Sequence, residues 1–112
     1  MSGSSNIIIT KDAEGNEISV DLMQVKKVNM IIRAMNHKLR QQILKLLEQS
    51  GPLTVTDVQQ KLHLEQSVTS QHLGILRRTN LVKTEKEGKA VYYSLNNERI
   101  ASLWNSILAL LT

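Results

Sequence analysis

Gln66, Ser67, Ser70 and Gln71 are small hydrogen-bonding residues spaced to share one side of a helix. Read as a helix, this stretch puts Thr69, Leu73 and Leu76 at i, i+4 and i+7 on one face. The opposite face then carries Ser67, Ser70, Gln71, Gly74 and Arg77. Its N-terminal part is short and uncharged. Its C-terminal part is cationic, where Arg77 and Arg78 complement the negative end of the helix dipole. Side chains of this kind reach base edges in a DNA major groove, and Ser, Thr and Gln bond either bases or phosphates. Val68 leans toward the same side, where its methyls suit a thymine methyl. The plain alternative is a solvated amphipathic helix. Asn80 falls where the helix should stop, because Asn tolerates the left-handed conformation of a C-terminal cap.

Little else in the chain suggests chemistry. His37, His63 and His72 fall on separate elements, with no Ser or Asp partner at a recognisable spacing. There is no Gly-rich phosphate loop, no H-E-x-x-H and no nucleophile elbow, so no enzymatic activity is expected. The chain has no cysteine, which excludes disulfides, thiolate metal sites and thiol switches. No metal and no cofactor is expected. His72 lies beside the apolar stripe and is expected to be structural, bonding backbone or orienting its neighbours. His37 should open a helix and His63 should sit in a turn, both as surface residues.

The elements that must position the reading face can be traced on either side of it. Downstream, residues 81–95 hold two β-prone runs around a charged, Gly-containing turn, which is a hairpin signal. Lys86 and Lys89 flank the turn at Glu87-Gly88. Tyr93 and Leu95 should alternate inward and Tyr92 outward, while Glu85 and Glu87 oppose a close approach to phosphate. Upstream, residues 37–49 show Leu39, Ile43, Leu46 and Leu47 as a helical core stripe, ended by Gly51-Pro52. Leu53-Thr54-Val55 reads as short and extended. Thr54 or Thr56 then caps a helix holding Val58 and Leu62, and residues 62–65 turn into the reading helix.

Two further helices bracket this core. Asp21 with Gln24 makes a capping box for the first, in which Leu22, Val25, Ile32 and Met35 form one apolar stripe and Met23, Met30, Ile31 and Ala34 another. Both stripes must be buried, and in so short a chain one of them should meet a second copy. The last helix, residues 97–111 with Asn96 as cap, places Ile100, Leu103, Trp104, Ile107, Leu108 and Leu111 on one face. That face reads as a dimer seam; the alternative is that it closes the monomer's own core. Before residue 21, Ile7-Ile8-Ile9-Thr10 and Glu17-Ile18-Ser19-Val20 are β-prone around a polar turn. They form either a short hairpin or a segment with only the second run ordered, following a tail at residues 1–5.

A reading helix feeding a basic hairpin is a winged helix-turn-helix, and here the chain resembles the ArsR-type (SmtB/ArsR) bacterial transcriptional repressors. The resemblance lies in Asn36-His37-Lys38-Leu39-Arg40-Gln41-Gln42-Ile43-Leu44-Lys45-Leu46-Leu47, in residues 66–82, and in Gly88-Lys89-Ala90-Val91-Tyr92-Tyr93-Ser94-Leu95. It covers rather more than half the chain. It implies a mainly helical fold with a β-hairpin wing, ordered α-α-β-α-α-β-β-α, dimerising through its first and last helices. It also marks departures. The family's thiolate sensor needs cysteines, and its other common site uses carboxylates and His on the last helix, where this chain offers Glu98 and no His. Lys89 stands where Arg is common, and Thr69 where a β-branched apolar residue is usual.

The net charge of +4 over 112 residues is unevenly spread. Residues 1–25 hold one cation against four anions, residues 26–50 six against one, and residues 66–95 five against two. The basic segments flank the reading helix, as a phosphate-binding surface requires, although solubility alone would also suit a modest positive charge. One domain is expected over residues 21–112, after an N-terminal segment over residues 1–20. No leader-like or membrane-spanning run is visible, so the expected compartment is the cytoplasm. The reading is therefore a homodimeric repressor binding double-stranded operator DNA. Gln66, Ser67, Val68, Ser70 and Gln71 face the bases, while Thr54, Thr56, Arg77, Lys86 and Lys89 position it on phosphates. Leu22, Val25 and Met30 join the last-helix residues in the dimer interface. Control would come from abundance, a partner protein or an unrecognised small ligand. The alternative is a winged-helix interaction module that binds another regulator rather than DNA.

Overall fold

The computed structural model describes residues 6–112, and the expected tail at residues 1–5 lies outside the described residues. The elements run β1 (Ile7–Lys11), β2 (Glu17–Asp21), α1 (Leu22–Met35), α2 (Lys38–Ser50), α3 (Val55–Leu62), α4 (Gln66–Arg78), β3 (Val82–Glu87), β4 (Ala90–Leu95) and α5 (Asn97–Leu111). They fall into two units, Met1–Arg33 and Ala34–Thr112, so the division comes near the end of α1.

In the first unit β1 and β2 pair antiparallel, from Ile7 opposite Asp21 to Lys11 opposite Glu17. Of the two arrangements open to residues 6–20, the chain adopts the hairpin. Its turn is fixed by Asp12, whose carboxylate accepts from the Glu14 and Asn16 amides, each at 2.9 Å, and from the Asn16 side chain at 3.2 Å. The Asn16 amide bond chiefly holds this carboxyl below its usual range. Asp21 leads directly into α1 and caps it by accepting from the Met23 amide at 2.9 Å. That bond falls one residue short of the Gln24 position expected for a capping box.

In the second unit α4 packs against α2, α3 and β3. Its Thr69, Leu73 and Leu76 are fully buried, together with Ile43 of α2, Val58 of α3 and Leu81 just beyond α4. α3 opens with a complete capping box on Thr54, the first of the two expected candidates. The Thr54 hydroxyl oxygen accepts from the Asp57 amide at 3.1 Å, and the Asp57 carboxylate accepts from the Thr54 amide at 3.0 Å. The short strand expected at residues 53–55 is a one-residue bridge. Leu53 and Tyr93 exchange backbone hydrogen bonds of 2.9 and 2.7 Å, which fasten the wing to the entry of α3.

Both helices of the helix-turn-helix end on a non-glycine residue with left-handed backbone, His63 at φ 55° and Asn80 at φ 61°. After α4 the Leu81 amide donates to Leu76 O at 2.9 Å and the Asn80 amide to Arg77 O at 3.0 Å. This is the Schellman pattern, and Leu76 and Leu81, both withdrawn from water, supply its apolar contact. The same pairing after α3 runs from the Leu64 amide to Gln59 O at 3.0 Å. In the wing, Glu87 pairs with Ala90 around Gly88-Lys89, and Gly88 at φ 60° supplies the left-handed first position of a type II′ turn.

The outer helices are scarcely buried. Ala34 is the one buried residue of α1, and α5 has none. Trp104 is 54% exposed, Leu111 75% and Met30 65%, far above what a core position shows. Asn96 caps α5 as expected, accepting from the Arg99 amide at 3.2 Å.

Because Asn80 holds a left-handed turn that L side chains disfavour, Asn80→Gly should preserve or raise stability. Asn80→Val should lower it by about 1–2 kcal/mol. Urea unfolding of the two variants checks this, and equal losses would remove the left-handed turn as the element that closes α4.

Candidate nucleic-acid interface

The buried stripe of α4 determines what its other side shows. With Thr69, Leu73 and Leu76 inward, Gln66, Ser67, Ser70, Gln71, Arg77 and Arg78 are all exposed. The Thr69 hydroxyl donates to Glu65 O at 2.8 Å, so the polar member of the stripe is satisfied within its own helix. Val68 is half-buried, at the edge of the exposed face rather than fully on it. No side chain caps the N-terminus of α4 at Glu65. Gly74 lies on the exposed side between the amide-rich and cationic parts. A Cβ there would come within 3.4 Å of the Arg78 guanidinium, which therefore lies back along the helix over Gly74.

Around α4 the expected phosphate contacts separate into two kinds. Thr56 is exposed in the first turn of α3, whereas Thr54 is half-buried and its oxygen is already engaged by the cap. Its hydroxyl hydrogen remains able to donate to a phosphate oxygen, so Thr54 has a capping role in addition to the phosphate contact expected of both threonines. Lys86 and Lys89 are exposed at the tip of the wing. The strand register also alters the reading of the acidic residues. Val82, Thr84 and Lys86 alternate onto one face with Leu95, Tyr93 and Val91 opposite them. Lys83, Glu85 and Glu87 take the other face, with Ser94, Tyr92 and Ala90 opposite. The two glutamates thus sit beside Tyr92, which is half-buried rather than freely outward, and on the face away from Lys86.

One cluster was not legible in the sequence. Arg40 of α2 donates from Nη1 to His72 Nδ1 at 3.2 Å and from Nε to Ala34 O at 2.7 Å. A guanidinium only donates, so His72 is the neutral tautomer with its proton on Nε2. The His37 ring lies 4.8 Å from that of His72, while His37 Nδ1 caps α2 by accepting from the Leu39 amide at 3.1 Å. His37, exposed as expected, thus has a capping role as well, and His72 bonds a side chain of α2 rather than backbone. These partners lie too far apart in the chain for helical periodicity to reveal them. Among the described residues no group of three or more His, Cys, Asp or Glu side chains could hold a metal.

Burial, then the neighbouring His37 and Arg40, lower the His72 pKa below its ordinary value. The unfolded chain therefore takes up this proton first as the pH falls. The stability contributed by neutral His72 is complete above about pH 6.5 and is lost as the pH drops through its lowered folded-state value. Thermal unfolding followed from about pH 7.5 to pH 5.5 should show this decline, and His72→Gln should flatten it. A decline of the same size in the variant would assign it to other groups.

Comparison with known proteins agrees with this architecture. Residues 37–84 match the model of the bacterial regulatory protein, arsR family. The transcriptional activator HlyU of Vibrio cholerae is 38% identical over 77 residues, 69% of this chain and 70% of its own. The biofilm growth-associated repressor of Agrobacterium fabrum is 28% identical over 104 residues, 91% of this chain and 88% of its own. Among solved structures, the homodimeric winged helix-turn-helix domain Mb0332 of Mycobacterium bovis superposes with a TM-score of 0.66 at 26% identity, covering 80% of this chain and 82% of that one. With an α4 that buries one stripe, presents a hydrogen-bonding face and runs into a basic-tipped hairpin, the chain belongs to the ArsR family: it is a winged helix-turn-helix DNA-binding transcriptional regulator, not an enzyme.

Proposed function

We propose that this regulator is a homodimeric, cytoplasmic repressor that binds an imperfect inverted repeat, with residues 21–112 as its DNA-binding and dimerisation domain. The observation that carries this reading is the exposed face of α4, uncharged where it would enter a groove and cationic where it would leave. Gln66, Ser67, Ser70 and Gln71 read base edges, with Val68 at the margin. Thr56, Arg77, Lys86 and Lys89 hold phosphates, and Thr54 mainly holds α3 in place. The separation of Glu85 and Glu87 from Lys86 across the wing favours this over an interaction module that avoids DNA.

Dimerisation is supported by the apolar side chains that α1 and α5 each leave in water. On α1 these include Met23, Val25 and Met30, beside a half-buried Leu22. On α5 Trp104, Leu108 and Leu111 are exposed, and Ile100, Leu103 and Ile107 half-buried. Exposed apolar area of this extent marks an interaction surface. Two copies related by a two-fold axis would present their α4 helices to successive major grooves, with half-sites about 10 bp apart. No thiolate metal sensing is available to a chain without cysteine, so an effector ligand or partner protein would supply any control.

Fluorescence anisotropy on duplex from the upstream region of its own gene, against scrambled duplex across a salt series, tests the reading. Selective binding that weakens steeply with salt is expected, and equal weak binding to both duplexes would overturn it. In the same assay Ser70→Ala with Gln71→Ala should reduce discrimination by about 1–3 kcal/mol, leaving binding to scrambled duplex intact. Lys89→Ala should instead weaken both duplexes and lower the salt slope by about one.

A further inference from the structure

The β1–β2 hairpin is not used by the function proposed above, and its outer edge is unusually apolar for a strand left in water. A two-stranded hairpin is marginal by itself in water. Here Ile7, Ile8 and Ile9 are 41%, 49% and 58% exposed, and Ile18 is 42% exposed. Proteins blunt open strand edges with charge, proline or bulges. β1 has none of these before Lys11 at its end. β2 differs: Glu17 and Asp21 lie at its two ends, and Asp21 passes straight into α1 and caps it. The hairpin is therefore joined without a linker to a helix whose apolar side chains are themselves in water.

We infer that β1 pairs with β1 of a second copy, giving a four-stranded sheet, β2-β1-β1-β2, across the two-fold axis of the dimer. This rests on the dimer reading given above. Three features select a second copy and this edge. Continuity of β2 with α1 carries the hairpin to the subunit that α1 meets. Antiparallel self-pairing of β1 about Ile9 sets Ile7 opposite Lys11 of the other copy, with no like charges facing. The same pairing of β2 about Ser19 would set Glu17 against Asp21, which is destabilising. Pairing β1 to a partner's β2 is head-to-tail and does not close on a two-fold, so it would build an open array rather than a dimer.

Because the chain has no cysteine, single substitutions report the pairing directly. Full-length Ile7→Cys, Ile8→Cys, Ile9→Cys, Thr10→Cys and, as control, Ser19→Cys would be oxidised at low protein concentration and resolved without reductant. Circular dichroism would check that each retains its helix content, and sedimentation would give the mass of each under reduction. Cross-linking should peak sharply within β1. A cysteine two residues off the axis lies about 13 Å from its counterpart, beyond disulfide reach. A dimer by sedimentation with no cross-link from any β1 position, or with stronger cross-linking at Ser19→Cys, would overturn the pairing while leaving the dimer reading intact. A monomer would overturn both.

Discussion

The burial of Thr69, Leu73 and Leu76 along one line of α4 is the constraint on which the second unit depends. Ile43 from α2 and Val58 from α3 share this core, and Leu81 and Val82 continue it into the wing. Rotation of α4 by one residue would place Ser70 in the core and Thr69 in water, so the choice of buried stripe is also the choice of exposed face. The threonine is tolerated because its hydroxyl turns back to Glu65 O, leaving a methyl for packing. A valine in its place would lack the hydroxyl and set a methyl against the Glu65 carbonyl oxygen.

Helix identity and the buried and exposed faces of α4 were legible wherever they depended on local periodicity. The spacing of Thr69, Leu73 and Leu76, the Asn96 cap and the left-handed stop at Asn80 each follow from residues within one or two turns. What escaped the sequence was set by pairs distant along the chain. Arg40 bonds His72 across 32 positions, and nothing in either helix's own pattern names the other. The wing was half-legible: the turn residues announced a hairpin, but the face taken by each charge waited on the register of β3 against β4. That register puts Glu85 and Glu87 on the face opposite to Lys86. Which of Thr54 and Thr56 caps α3 stayed open for a similar reason, since the box is completed by Asp57 and only Thr54 is placed to receive its amide.

Charge and apolar surface divide the chain between two tasks. The acidic N-terminal segment and the apolar side chains of α1 and α5 suit contact with another protein surface, whereas exposed cations mark the end of α4 and the wing tip, although α1 carries Lys26, Lys27 and Arg33 as well. Phosphate attraction is long-ranged and salt-sensitive, while apolar contact is short-ranged and nearly indifferent to salt. Assembly and DNA association in such a protein therefore respond to different solution conditions.

The single bridge between Leu53 and Tyr93 has a mechanical consequence. Leu53 immediately precedes the Thr54 cap, so the wing, the start of α3 and, through α3, the reading helix are fastened into one frame. With α4 and the wing docked on DNA as proposed, a frame of fixed span would work as a caliper on the duplex. DNA whose groove width matched the gap between wing tip and α4 would be gripped without distortion, and other sequences would have to bend or twist to fit. Base pairs that no side chain touches would then enter the choice of operator through their stiffness.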